Sequence, residues 1–293
     1  MPSEPLIHWP KPIYELLQFV AAFLAIGPLG FRFAVARQGA AWNRAASIRT
    51  VALRRAAAIG AVGAALALAH IALVVPGLAA RRHTELGALV TSDPMIVAWI
   101  LLTALAAVGY LLARRGREEG WAVATVGVTG ATLRHAMNGE WTQLVNPLHL
   151  LAGGLWIGTL FVVVAAGLTT VTRIEPSSDR RGELAAAMVD AFSPLALGAG
   201  GAVVLFGLIT AWRHLKYVSA LWTTPYGYAL LLKLALVAVV VSLGAWNWRR
   251  QRPRLGSESA ATALRRSAWS ELAAAGLVLL ATAVLVSLPT PGR

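Results

Sequence analysis

Six histidines, four methionines and no cysteine make up the soft-donor inventory of this 293-residue chain. Imidazole with thioether and no thiolate suits copper in either oxidation state, and the lack of cysteine excludes disulfides, thiolate zinc sites and iron–sulfur clusters. The most telling position is His149. It stands in Asn146-Pro147-Leu148-His149-Leu150-Leu151-Ala152-Gly153-Gly154-Leu155-Trp156-Ile157-Gly158, which opens an apolar run reaching Thr172. At about 1.5 Å per residue that run crosses a bilayer. An ionisable ring in its first turn faces a bundle interior or a water-filled cavity more often than lipid. His149 therefore reads either as a metal ligand or as an interfacial polar anchor. Two residues before Met137, His135 can converge with His149 across the loop of Asn138, Gly139, Glu140 and Trp141. His70 lies inside another apolar run, where a neutral imidazole needs a metal or a hydrogen-bond partner. The metal site expected from these residues is His149, His135 and Met137 at a mouth, with His70 as a deeper station.

Two charges inside apolar runs could tune or gate such a site. Lys233 falls about two helical turns into one run and Glu15 in the first turn of another, so they can pair, or stand on a cation or proton path. Snorkelling of Lys233 to the headgroups is the competing reading. His83 and His214, each beside an arginine, read as solvated loop residues, and His8 as part of a terminal arm. No glycine-rich phosphate loop follows a strand, no HExxH occurs and no Ser–His–Asp arrangement can be argued. Hydrolytic chemistry thus has no support, and the chain is expected not to be an enzyme.

Helices must position these residues, and composition says in what medium. The chain is 57% hydrophobic and only 13% charged, with a mean hydropathy of +0.65, which places it in a membrane. Eight apolar runs lie near residues 14 to 35, 57 to 80, 95 to 113, 121 to 136, 148 to 172, 194 to 213, 226 to 248 and 269 to 288. An all-α bundle of about eight transmembrane helices is expected, the fourth run being the shortest and rich in Gly and Thr. Residues 1 to 12 offer only Lys11 among prolines, so the first run is expected to stay as a helix and not to be cleaved. The net charge of +13 belongs to arginines gathered between the runs, which argues for orientation signals and against nucleic acid. Placing both termini outside puts 18 basic residues on the cytoplasmic side and seven on the other. With that orientation all six histidines, and Met95 and Met137, fall toward the outer face. Arg44, Arg49, Arg54 and Arg55, with Trp42, read as a short interfacial helix or a charged loop.

An internal repeat aligns the loops. Arg82-His83 and Arg213-His214 lie 131 residues apart, and Lys11-Pro12-Ile13-Tyr14 precedes Asn146-Pro147-Leu148-His149 by 135. Two parallel four-helix halves are expected, residues 1–130 and 131–293.

The second half resembles the CopD family of copper-resistance inner-membrane proteins. The resemblance is carried by the segment from His149 to Gly158, by Phe192-Ser193-Pro194-Leu195-Ala196, and by Gly207-Leu208-Ile209-Thr210-Ala211-Trp212. It continues through Leu221-Trp222-Thr223-Thr224-Pro225-Tyr226-Gly227-Tyr228-Ala229-Leu230-Leu231-Leu232-Lys233 and Gly244-Ala245-Trp246-Asn247, then Glu271 and Leu288-Pro289-Thr290-Pro291. It covers about residues 130 to 291. Where family sequences commonly show Gly-His-Ala, this chain has Arg134-His135-Ala136. The resemblance implies a multi-span protein of the bacterial cytoplasmic membrane that handles copper, often with a periplasmic CopC-like copper-binding partner. Uptake of copper from the periplasmic side is the function expected. The rival from another class is a haem-binding membrane oxidoreductase, with His70 and His149 as axial ligands of haem b. A structural or sensory membrane partner with no transported substrate is the third reading.

Overall fold

The computed structural model describes residues 9–36, 42, 44–134, 141–215, 217–251 and 258–291. These residues form helices and connections, with no strand among them. In chain order the helices are α1 (Lys11–Val35), α2 (Ala46–Arg81), the short α3 (Leu86–Ser92), α4 (Pro94–Arg114) and α5 (Glu119–Leu133). They continue with α6 (Val145–Ile174), α7 (Ser178–His214), the single turn α8 (Ala220–Thr223), α9 (Pro225–Gln251) and α10 (Glu258–Leu285). Seven of them, all but α3, α5 and α8, are long and apolar enough to cross a membrane. The expected fourth span differs. As α5 it has 15 residues, about 22 Å, short of a hydrocarbon core of about 30 Å. The all-α membrane bundle therefore stands, with α5 as its short member.

Local chemistry sets the helix starts. Asp93 caps α4, its carboxylate accepting from the N–H groups of Met95 and Ile96, with Pro94 following at the first helical position. Ser177 caps α7 by accepting from the Arg180 N–H. The arginine cluster from Arg49 to Arg55 does not form a separate interfacial helix. It continues into the second span as the first turns of α2, because alanines and the absence of glycine or proline there give the helix no reason to stop.

Two ends of the bundle differ in chemistry. At the arginine end, Arg32 pairs with Glu118, Arg44 with Glu183 at 2.7 Å, and Arg55 donates to the Thr170 hydroxyl at 3.0 Å. The opposite, histidine end holds the starts of α1, α4, α6 and α9 and the ends of α2 and α7. There Arg82 meets Asp93 at 2.6 Å. The guanidinium, followed by the two backbone N–H bonds, holds the Asp93 carboxyl below its ordinary value.

Small residues let the helices close on one another. Gly154 and Gly158 of α6 let α1 approach: a β-carbon at Gly154 would strike Ile26, and one at Gly158 would enter the α1 backbone at Phe23 and Gly27. Between α4 and α5, Gly109, Gly120 and Gly127 lie directly against the opposing backbone. Such seams suit a membrane, where packing rather than water drives helix association. Tyr110 of α4 ties the first helices together. Fully buried, it sits in the notch left by Gly60 of α2 and donates its hydroxyl to the Ala25 carbonyl of α1. The main core lies toward the arginine end, around Phe31, Trp42, Val162, Val164, Leu184 and Met188. By contrast α7 presents Val204, Leu208 and Trp212 outward, and α9 presents Leu232 and Val239, as lipid-facing helices do.

Candidate functional site

His70 and His149 are both pinned inside the bundle. His70, 5% exposed, lies on α2 eleven residues before its end. Its ring faces the Tyr14 backbone of α1, and its Nδ1 is buried without a hydrogen-bond partner. Trp99 of α4 packs edge-on against this ring, centroids 5.8 Å apart. Above Trp99 lies the Arg134 guanidinium, its Cζ 4.0 Å from the ring centroid, and Arg134 acts electrostatically on His70.

His149 repeats the arrangement on other helices. It lies on the first turns of α6, faces the Val203 backbone of α7, and again has a buried Nδ1 with no partner. The space for the ring comes from Gly207, where a β-carbon would stand 3.0 Å from the His149 Cε1 and 3.5 Å from Nδ1. Across the gap, Lys233 of α9 lies within electrostatic reach. Each imidazole thus faces a helix backbone, buries an Nδ1 that has no hydrogen-bond partner, and lies within electrostatic reach of one cation. A neutral imidazole nitrogen held in this way is able to ligate a metal.

The two rings share none of these neighbours, so each forms a separate station and not one joint site. Among the described residues no three His, Asp or Glu side chains converge. His135 and Met137 lie outside the described residues. Glu15 and Lys233 form no ion pair with each other among the described residues. The charge acting on Glu15 is Lys11, and Lys233 acts on His149. A cleft of about 400 Å³ between α1, α9 and α10 is lined by Ile13, Leu236, Leu280 and other apolar side chains, and reaches neither histidine.

His83 follows the sequence expectation: it is exposed, in a turn with φ 51°. His214 departs from it. Half-buried at the end of α7, it lies parallel to the Tyr226 ring at 6.2 Å and bonds the Thr210 carbonyl at 2.8 Å. Sequence reading also missed Trp99, Tyr14, Val203 and Gly207 as neighbours. Backbone acceptors leave no trace in residue type, although an isolated glycine beside Thr210 is a packing signal.

Part of the chain is similar to known proteins. The model of the copper resistance protein D family, CopD, matches residues 186–285. That stretch contains Val203, Gly207, His214, Tyr226 and Lys233, while His70 and His149 precede it. A curated relative, the copper transport protein CutJ of Bacillus subtilis (strain 168), is 32% identical over 151 residues, half of this chain. The alignment spans a quarter of that relative's length. No solved structure matches the chain. Residues 186–285, which hold most of α7 and α10 and all of α9, are accordingly similar to the CopD family of copper resistance protein D.

Proposed function

We propose that this chain is a multi-pass copper carrier of a bacterial cytoplasmic membrane, taking the ion at its histidine end on the periplasmic side and passing it inward. The observation that carries the proposal is the pair of imidazoles, buried His70 and half-buried His149, each facing a helix backbone and each with a buried Nδ1 that has no hydrogen-bond partner. An unsatisfied buried nitrogen is costly unless something fills it, and a soft cation does so. The CopD match and the copper transport named for the Bacillus relative support the same substrate.

In this reading His149 binds at the mouth, with His135 as a second imidazole and Met137 as thioether, and His70 forms a further station. Lys233 and Glu15 tune the charge an entering ion meets. The excess of arginine at the opposite end supports the orientation, with both termini outside. A CopC-like periplasmic protein is the expected donor. Two halves, 1–130 and 131–293, are supported by a shared packing order. In each, the first helix packs on the second, α1 on α2 and α6 on α7, and the third on the fourth, α4 on α5 and α9 on α10. In both, an imidazole of one helix of the first pair faces the backbone of the other, His70 of α2 toward Tyr14 and His149 of α6 toward Val203.

Two measurements test the proposal. Protein purified in mild detergent from cells supplied with copper and iron should carry copper on elemental analysis; iron without copper would favour the haem reading instead. Vesicles containing the full chain should take up copper, and His149→Ala should lose most of that uptake. Unchanged uptake by the variant removes His149 from the path.

A further inference from the structure

A column of polar groups rises along the seam of α6 and α7 from His149 to the end of the bundle. Its lowest rung is the His149 ring against Gly207. Three residues further on in α7, the Thr210 hydroxyl donates to the Asn146 side-chain oxygen of α6 at 3.0 Å. The carbonyl of the same Thr210 accepts from the His214 ring at 2.8 Å. Nδ1 of His214 must therefore carry the proton, leaving Nε2 as a free lone pair. From Gly207 to His214 is seven residues, two turns or about 10 Å. On the facing helix α9, Tyr226 and Lys233 are also seven residues apart: Tyr226 stacks on His214 and Lys233 faces His149. Two layers thus stand one above the other, the His149 ring of α6 within electrostatic reach of Lys233 and the His214 ring of α7 parallel to Tyr226. The α7–α9 contact around Ala211, Leu215, Tyr226 and Leu230 fixes their spacing.

We propose that His214 is the outer station of the path to His149, taking a soft monovalent cation, cuprous ion, on its Nε2 before the ion passes Asn146 and Thr210. This rests on the copper-carrier reading. A monovalent ion is specified because no carboxylate faces either layer among the contacts above, while Lys233 stands beside the lower one. The desolvation cost of an ion rises with the square of its charge, and repulsion from the ammonium doubles for a divalent ion. Tyr226 holds the ring flat, so its orientation does not depend on an occupant.

The test uses the full chain in vesicles, with initial rates measured against the concentration of copper kept cuprous by ascorbate. His214→Phe keeps a flat ring on Tyr226 but removes both nitrogens. The expected result is a half-saturating concentration raised at least about tenfold with an unchanged maximal rate, whereas His149→Ala lowers the maximal rate. His214→Met restores a soft donor and should return half-saturation toward that of the unaltered chain. If the unaltered chain takes up cuprous copper and His214→Phe saturates as it does, the outer station is wrong and the copper reading stands. A fall in maximal rate without a change in half-saturation, or a His214→Phe defect that His214→Met leaves in place, marks a structural role and also overturns it. No uptake by the unaltered chain overturns both readings together.

Discussion

Gly63→Ala should damage the His70 station from 7 residues away. Gly63 of α2 lies where that helix crosses α1, and a β-carbon there would stand 2.5 Å from the Ala25 nitrogen, 2.7 Å from the Leu24 carbonyl carbon and 2.9 Å from the Ala21 oxygen. All three are backbone atoms, so no side chain can turn aside. Ordinary contact begins at 3.4 Å, which leaves a shortfall of 3.4 − 2.5, about 0.9 Å, to be met by moving α1 away from α2. Seven residues on along α2 is His70, and seven residues back along α1 from Ala21 is Tyr14, whose backbone the His70 ring faces, so the displacement opens that approach. Overpacking costs about 1–3 kcal/mol, and the helix gains up to about 1 kcal/mol when alanine replaces glycine. The net is about 1–2 kcal/mol, or about 4–8 °C in the unfolding midpoint for a loss near 2 kcal/mol. Gly77→Ala on the same helix supplies the control, because a β-carbon there meets nothing within 4 Å; it should be neutral or slightly stabilising. Thermal unfolding in mild detergent decides the matter. Equal midpoints for the two variants would refute the claim that the crossing is closed by backbone contact.

Tyr110→Phe removes the hydroxyl that binds the Ala25 carbonyl while leaving the ring in the Gly60 notch; a loss of about 1 kcal/mol is expected in the same unfolding assay. Asp93→Ala removes the α4 cap and should cost about 1 kcal/mol, with Asp93→Ser recovering part of it. The Asp93 carboxyl lies below its ordinary value because of Arg82, so its contribution is fully present above the unfolded-chain value near 3.8 and is lost as pH falls through the folded value. An unfolding profile from pH 7 down to pH 2 should show that acid-side loss in the unaltered chain and a smaller one in Asp93→Ala. At the arginine end, Glu183→Gln breaks an ion pair with both partners half exposed, and the midpoint should shift by less than about 1 kcal/mol equivalent.

Much of this architecture is written in residue type. Apolar runs located the long helices, and the arginines marked one end, because hydrocarbon thickness and headgroup charge act on composition directly; the second, seventh and tenth helices begin well before their apolar runs, in polar turns that hydropathy does not see. The short α5 was the shortest of the expected runs, and rich in glycine and threonine. At the site, His149 and His70 were legible because an imidazole in an apolar run is conspicuous. His214 was not: beside Arg213 it reads as a loop residue, and only the Thr210 carbonyl and the Tyr226 ring reveal otherwise. Pairing between Glu15 and Lys233 failed as an expectation for a related reason. Equal depth in a membrane says nothing about which helices are neighbours, and Lys233 turned toward α6 while Glu15 stayed near Lys11.

The helices that cross at Gly27 and Gly158 are interrupted by wider turns of the π kind, Phe31–Val35 in α1 and Gly154–Gly158 and Val163–Leu168 in α6. A π turn absorbs one residue more than an α turn, and each residue is worth about 100° of rotation. The extra residue is taken up inside the wide turn, so the faces on either side of it stay where an unbroken α-helix one residue shorter would put them. Loss of a single residue between positions 163 and 168 would tighten the π turn into an α turn and leave His149 aimed as it is. The same loss from an α turn between Thr169 and Ile174 would swing the residues beyond it by about 100°, so α6 tolerates a change of length at its wide turns and nowhere else.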